Sequence, residues 1–157
     1  MSLLVKKYWT VLRVGLIVGW VRLLLRFNSL PLVLERLSLR SRAGRSDDAT
    51  MRKLIYYVDR WLQLFPYNER GNCFPRALAL YRLARQLGYP VRFHCGVRKE
   101  ASNLNGHAWL TLDSEAFYEP GKQWRCFAIT FSYPSDSVSG VSRVSASHGP
   151  QLRTMKS

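Results

Sequence analysis

A chain of 157 residues with 47% hydrophobic content has the length of one domain and enough apolar material to build a core. Its 24 basic and 10 acidic residues leave a net charge of +14, which directs attention to an anionic partner: nucleic acid, anionic lipid or acidic peptide. A single basic arm is excluded, because the charge is +8 up to residue 64 (12 basic, 4 acidic) and +6 beyond it (12 basic, 6 acidic). Arginine supplies 18 of the 24 basic residues, which suits bidentate contacts to carboxylate or phosphate. Five Trp and eight Tyr argue against a histone-like protein.

Cys73, Cys95 and Cys126 cannot all pair, and no CxxC or Cys/His ligand spacing occurs among them. A disulfide framework and a zinc ribbon are therefore set aside, and neither metal nor cofactor is expected. The odd count reads as a reducing compartment, the cytoplasm, in which one thiol is chemically active.

Residues 1–27 begin with Lys6 and Lys7 and run through many Leu, Val and Ile. Arg13 interrupts the apolar run and no small-residue cleavage site follows it, against a secretory signal. Only eight uncharged residues separate Arg13 from Arg22, where a bilayer span needs about 20. The segment reads as a core-packing helix; the second reading is a basic helix with Trp9 and Trp20 that lies on a membrane surface or docks on a partner. Residues 31–45 read as a short helix and a basic linker. Asp47 and Asp48 are candidate caps for a helix over 50–65, with Leu54, Ile55, Val58, Trp61, Leu62 and Phe65 on one face and Pro66 at its end.

From Asn68 a polar turn leads into a strong helix. Asn72 is its expected cap, Pro75 is tolerated in its first turn, and Gly88 with Pro90 ends it. Cys73 then falls at a helix amino terminus, where free amides and the macrodipole favour the thiolate and can hold a developing oxyanion. Residues 91–97, 106–112, 116–119 and 124–133 read as strands of an antiparallel sheet packed on the helices. His107 starts one strand and Glu119 ends its hairpin partner, so the two can meet across the strands. Cysteine, histidine and carboxylate in this arrangement are the parts of a thiol-nucleophile triad. His94 reads as structural, His148 as solvated, and Cys95 and Cys126 as inert thiols inside apolar strands.

The order NCFPRALALYRLARQLG, GVR, GHAWLTL and a carboxylate twelve residues after the histidine resembles the transglutaminase-like leader peptidases of lasso-peptide biosynthesis, in particular the stand-alone protease half of the split B protein. The resemblance covers roughly residues 50–133. It implies an α+β, papain/transglutaminase-like core and a cysteine peptidase that cuts the leader from a ribosomally made precursor before a cyclase closes the macrolactam ring. By that carry-over Cys73 is the nucleophile, His107 the general base and Glu119 the third member, and Arg76, Asn72 and Trp109 contact substrate. Arg76 stands about one helical turn after Cys73, where it can bias the thiolate or bind substrate. At the third position the family most often has Asp. Asp113, six residues after His107, competes with Glu119, although an extended strand would carry it about 20 Å away.

The implied partners are the precursor peptide, a small leader-recognition protein and an asparagine-synthetase-like cyclase; no nucleic acid is expected, and peripheral membrane contact is compatible with the first helix. The chain divides into an N-terminal Arg-rich helical region (1–46), the peptidase core (47–133) and a Ser-rich tail expected to be disordered (134–157). The alternative from another class is a non-catalytic basic module that binds nucleic acid or a membrane surface.

Overall fold

The computed structural model describes residues 3–38, 47–65, 71–101 and 103–135. The linker after α2, Pro66 and most of the Ser-rich tail with His148 lie outside the described residues. Four helices, α1 (Leu3–Phe27), α2 (Leu30–Leu37), α3 (Asp48–Gln63) and α4 (Cys73–Gln86), precede the strands β1 (Arg92–Glu100), β2 (Asn103–Leu112), β3 (Glu115–Ala116) and β4 (Ala128–Tyr133). The strands form one antiparallel sheet in the order β3-β2-β1-β4, so the fold is α+β.

The amphipathic period written into α3 buries Met51, Leu54, Val58 and Leu62, with Ile55, Trp61 and Phe65 packed at the margin. Asp47 caps it by accepting from the Ala49 and Thr50 amides at 3.1 and 3.3 Å. Helix α4 is buried on nearly every side, from Pro75 through Ala84, because α1, α2, α3 and the sheet all pack around it. It ends in a paired cap: the Gly88 amide donates to Arg85 and the Tyr89 amide to Ala84, with Gly88 left-handed at φ 87°. A residue at the start of so enclosed a helix is held rigidly. The buried residues of α1 and α2 join the same apolar cluster as those of α4 and β1, so the N-terminal helices share the interior of the core.

Two local expectations change. Residues 124–133 do not form one strand: Gln123–Cys126 is a 3-10 turn, and β4 starts only at Ala128. Cys126 is consequently exposed on that turn and not inside an apolar strand. The hairpin strand expected over 116–119 is only the pair Glu115–Ala116, because Tyr118 adopts a left-handed φ of 51° that a ladder does not accommodate.

Candidate active site

Cys73 is the first residue of α4, and its sulfur lies against the middle of β2, which begins at Asn103 and so does not start at His107 as expected; it is hydrogen bonded to the His107 ring and to the Ala108 and Phe74 amides. His107 turns its other side to Glu119: Nε2 donates to Oε1 at 2.7 Å. With Nε2 so engaged, Nδ1 is the nitrogen left to face the thiol. Burial pushes the Cys73 thiol up, but the His107 hydrogen bond, the Ala108 amide, the His107 charge and the Phe74 amide outweigh it and hold the thiol below its ordinary value. The imidazole moves the opposite way, pushed up to about 9 by its hydrogen bond to Cys73 first and to Glu119 second, against burial. The two shifts favour the same charge state, a thiolate beside an imidazolium.

Glu119 reaches His107 by a departure from regular pairing. In the β2–β3 ladder Thr111 faces Ala116 and Leu112 faces Glu115, a register that would set residue 119 opposite Ala108 and aim it at the wrong face. The left-handed Tyr118 ends the ladder and turns the carboxylate back. Asp113 has no such route. It sits with Ser114 in the two-residue turn between β2 and β3, both at positive φ, six residues along the strand from His107.

The sequence-expected substrate residues occupy three different settings. The Arg76 guanidinium lies behind Glu119: Nε donates to Asp59 Oδ1 at 2.7 Å, Nη2 to Asp59 Oδ2 at 3.4 Å and to the Tyr118 carbonyl at 3.3 Å, and Nη1 to Glu119 Oε2 at 3.5 Å. It ties the acid's second oxygen and the backbone of the Tyr118 turn to α3. Asn72 does not cap α4 with its side chain; its Oδ1 accepts from Arg22 of α1 at 3.1 Å. It lines an open depression beside the site with Asp59, Arg76, Tyr118, Glu119 and Pro120.

Trp109 is a correction. At 1% exposure it has no face for a substrate. Instead its indole stacks under the His107 ring (centroids 5.9 Å apart, 14° between planes), with Phe127 tilted against the same imidazole at 5.2 Å. Two aromatic walls thus fix the ring plane. Gly96, opposite His107 across β1 and β2, makes room for the arrangement: a Cβ there would lie 2.6 Å from the Ala128 carbonyl oxygen and 3.1 Å from Trp109 Cη2.

Asp59, Phe127 and Gly96 were not singled out by the sequence. Asp59 looks like any solvated residue of an amphipathic helix, and Phe127 like one more strand aromatic. Only GVR, through its glycine, carried a signal. His94 is structural, with Nδ1 2.8 Å from Ser132 Oγ and Nε2 2.8 Å from Thr111 Oγ1. Among the described residues no group of three or more His, Cys, Asp and Glu side chains is arranged to hold a metal.

Chemically, the site presents a polarised thiol at a helix amino terminus, an imidazole that can take and return a proton, and a carboxylate that fixes the imidazole. A family model described as the transglutaminase-like superfamily matches residues 16–132. No curated protein and no solved structure matches the chain.

Proposed function

The chain belongs to the transglutaminase-like superfamily, and from that premise we propose that it is a cysteine peptidase that removes the leader from a ribosomally made lasso-peptide precursor before a cyclase closes the macrolactam ring. The observation that carries the peptidase reading is the Cys73–His107–Glu119 chain of hydrogen bonds at the start of a buried helix. The leader-peptidase reading rests on the resemblance of NCFPRALAL, GVR and GHAWLTL to that group of enzymes.

In this reading the Cys73 thiolate attacks the scissile carbonyl carbon, and the carbonyl electron pair moves onto oxygen. The amides of the first turn of α4 lie where they can stabilise that oxyanion. His107, protonated, gives its proton to the leaving nitrogen as the C–N bond breaks, which leaves a thioester on Cys73 and a neutral imidazole. Water then adds to the thioester while His107 takes its proton; the carboxylic acid departs and the thiolate–imidazolium pair is restored. Glu119 holds Nε2–H throughout. A reducing cytoplasm keeps Cys73 a thiol. A small leader-recognition protein delivers the precursor, and an asparagine-synthetase-like cyclase receives the product.

The test is incubation of the chain with precursor peptide and the leader-recognition protein, reading the two fragments by mass. Cleavage by the intact chain and none by Cys73→Ala is expected. Cleavage that survives Cys73→Ala removes the nucleophile from this residue, and no cleavage under any partner condition returns the chain to the reading as a basic binding module.

A further inference from the structure

Helix α1 is apolar on two opposite sides. Val14, Ile17, Val18, Val21 and Leu24 enter the core. The other side presents Tyr8, Trp9, Leu12, Leu16, Trp20 and Leu23, 37 to 71% exposed, in a strip that begins at Leu4 and ends at Phe27. At 1.5 Å per residue the strip is about 35 Å long. Its apolar area is on the order of 1,000 Å², well above the few hundred Å² that a monomer ordinarily leaves in one patch. A helix apolar all round is normally covered all round.

The borders of the strip are basic, and α1 contains no acidic residue. Lys6, Lys7, Arg13 and Arg26 are exposed on the helix itself. Arg82 of α4 reaches over the Trp20 ring at 5.0 Å, while Arg13 donates to Gln86 Oε1 at 2.9 Å. These two arginines line a cavity of about 360 Å³ with Trp9, Leu12, Leu16 and Trp20. Neither has a carboxylate partner among the described residues, and their like charges oppose each other: Arg82 is held below the ordinary arginine value by burial first and by Arg13 second. An anion placed between them would relieve that repulsion.

We propose that this face is a membrane-binding surface, on which α1 lies in the headgroup plane of an anionic bilayer with Arg13 and Arg82 on lipid phosphates. Three features favour a bilayer over a protein partner. Protein interfaces carry about one hydrogen bond per 100–200 Å², whereas the uncharged polar groups of this strip are the Tyr8 hydroxyl and the Trp9 and Trp20 indole N–H groups, few for on the order of 1,000 Å². Trp9, Trp20 and Tyr8 are the residue types that settle at the boundary between headgroups and acyl chains. Basic residues bordering a long apolar strip fit a surface helix, and no helix among the described residues is long and apolar enough to cross a membrane. The inference is independent of the peptidase reading, since it uses none of Cys73, His107 or Glu119.

The experiment is flotation of the full chain with vesicles of phosphatidylcholine alone and of phosphatidylcholine mixed with phosphatidylglycerol. Co-flotation with the anionic vesicles, weakened by salt, is expected, together with quenching of tryptophan fluorescence by brominated lipid. The double substitution Arg13→Gln/Arg82→Gln should lower partitioning onto anionic vesicles by roughly tenfold or more while leaving the thermal melt unchanged. Leu12→Gln/Leu16→Gln should remove co-flotation with the anionic vesicles. Absence of flotation on anionic vesicles overturns the proposal, as does flotation that neither double variant reduces. A dimer that Leu12→Gln/Leu16→Gln dissociates, found without vesicle binding, would assign the strip to a second copy of the chain.

Discussion

Replacing Glu119 with glutamine removes one negative charge and little volume, so it isolates what the carboxylate does to His107. Glu119 is 9% exposed and its Oε1 lies 2.7 Å from His107 Nε2. Unit charges centred about 4 Å apart interact by about 4 kcal/mol at an effective dielectric of 20, and the partial exposure of the ring reduces this to about 2 kcal/mol. That corresponds to about 1.5 pH units at 1.36 kcal/mol per unit. The imidazolium exists below its folded-state pKa, which lies at about 9, and is lost as the pH rises through it. The thiolate exists above the pKa of Cys73, which is lowered. The active ion pair therefore occupies the window between the two, and Glu119→Gln should pull its alkaline edge down from about 9 to about 7.5. The maximum kcat should fall roughly 10²- to 10⁴-fold, the range for losing the group that orients a catalytic imidazole. The assay is kcat/KM against pH on precursor, with the rate of Cys73 alkylation by iodoacetamide against pH as a readout that needs no substrate. An alkaline edge that stays near 9 with undiminished turnover would show that Glu119 does not hold the imidazolium. A larger loss in Asp113→Asn than in Glu119→Gln would show that the wrong carboxylate had been placed beside the imidazole.

Arg76→Met should lower kcat about 10- to 100-fold with a smaller effect on KM, because it frees the second oxygen of Glu119, and should cost about 1.5–3 kcal/mol by denaturant melt. Arg76→Lys should restore little of either, since a single ammonium cannot replace a fork bonded to Asp59, Glu119 and the Tyr118 carbonyl. Gly15→Ala should destabilise by about 1–3 kcal/mol, because its Cβ would stand 2.4 Å from Trp61 Cε2 and the indole is anchored by its bond to the Val11 carbonyl. Gly19→Ala in the same helix, with nothing within 4 Å, should be neutral or stabilising by up to about 1 kcal/mol; equal melting shifts for the two would show that Trp61 does not pack as described. Gly96→Ala should reduce both stability and turnover, since its Cβ meets the Ala128 carbonyl of β4 and the indole beneath His107; a variant that melts normally and cleaves at the parent rate would remove the glycine from the site.

Cys73, His107 and Glu119, which the structure brings together, are legible in the sequence because the elements that carry them have local signals. A cysteine just before an apolar helical period, a glycine and a proline at that helix's end, and alternating aromatic strands after it are all legible within a few residues. The meeting of His107 with Glu119 was anticipated for an incomplete reason. A hairpin does bring them near, but its register aims Glu119 away, and the left-handed Tyr118 corrects the aim. Nothing in the sequence marks Tyr118 for positive φ, a conformation to which Gly, Asn and Asp are better suited. Trp109 departs from its expected contact with substrate for a related reason: the HAW motif names the residue without saying which side of the sheet is covered, and the structure buries it.

Helix periods, caps and turns depend on neighbours within about one turn of chain, so the helices, the class of fold and the order of Cys73, His107 and Glu119 are readable locally, whereas the 3-10 turn at Gln123–Cys126 and the two-residue β3 are not. Tertiary structure alone decided which charges meet. Asn72 answers to Arg22 fifty residues earlier, and Arg76 to Asp59 and Glu119 on opposite sides of it in the chain. It also divided the apolar residues of α1 between a core and an open strip, which an all-round apolar helix leaves undefined until its neighbours pack. These are pairings between distant segments, set by one residue of register or one side of a helix, and no local pattern encodes them.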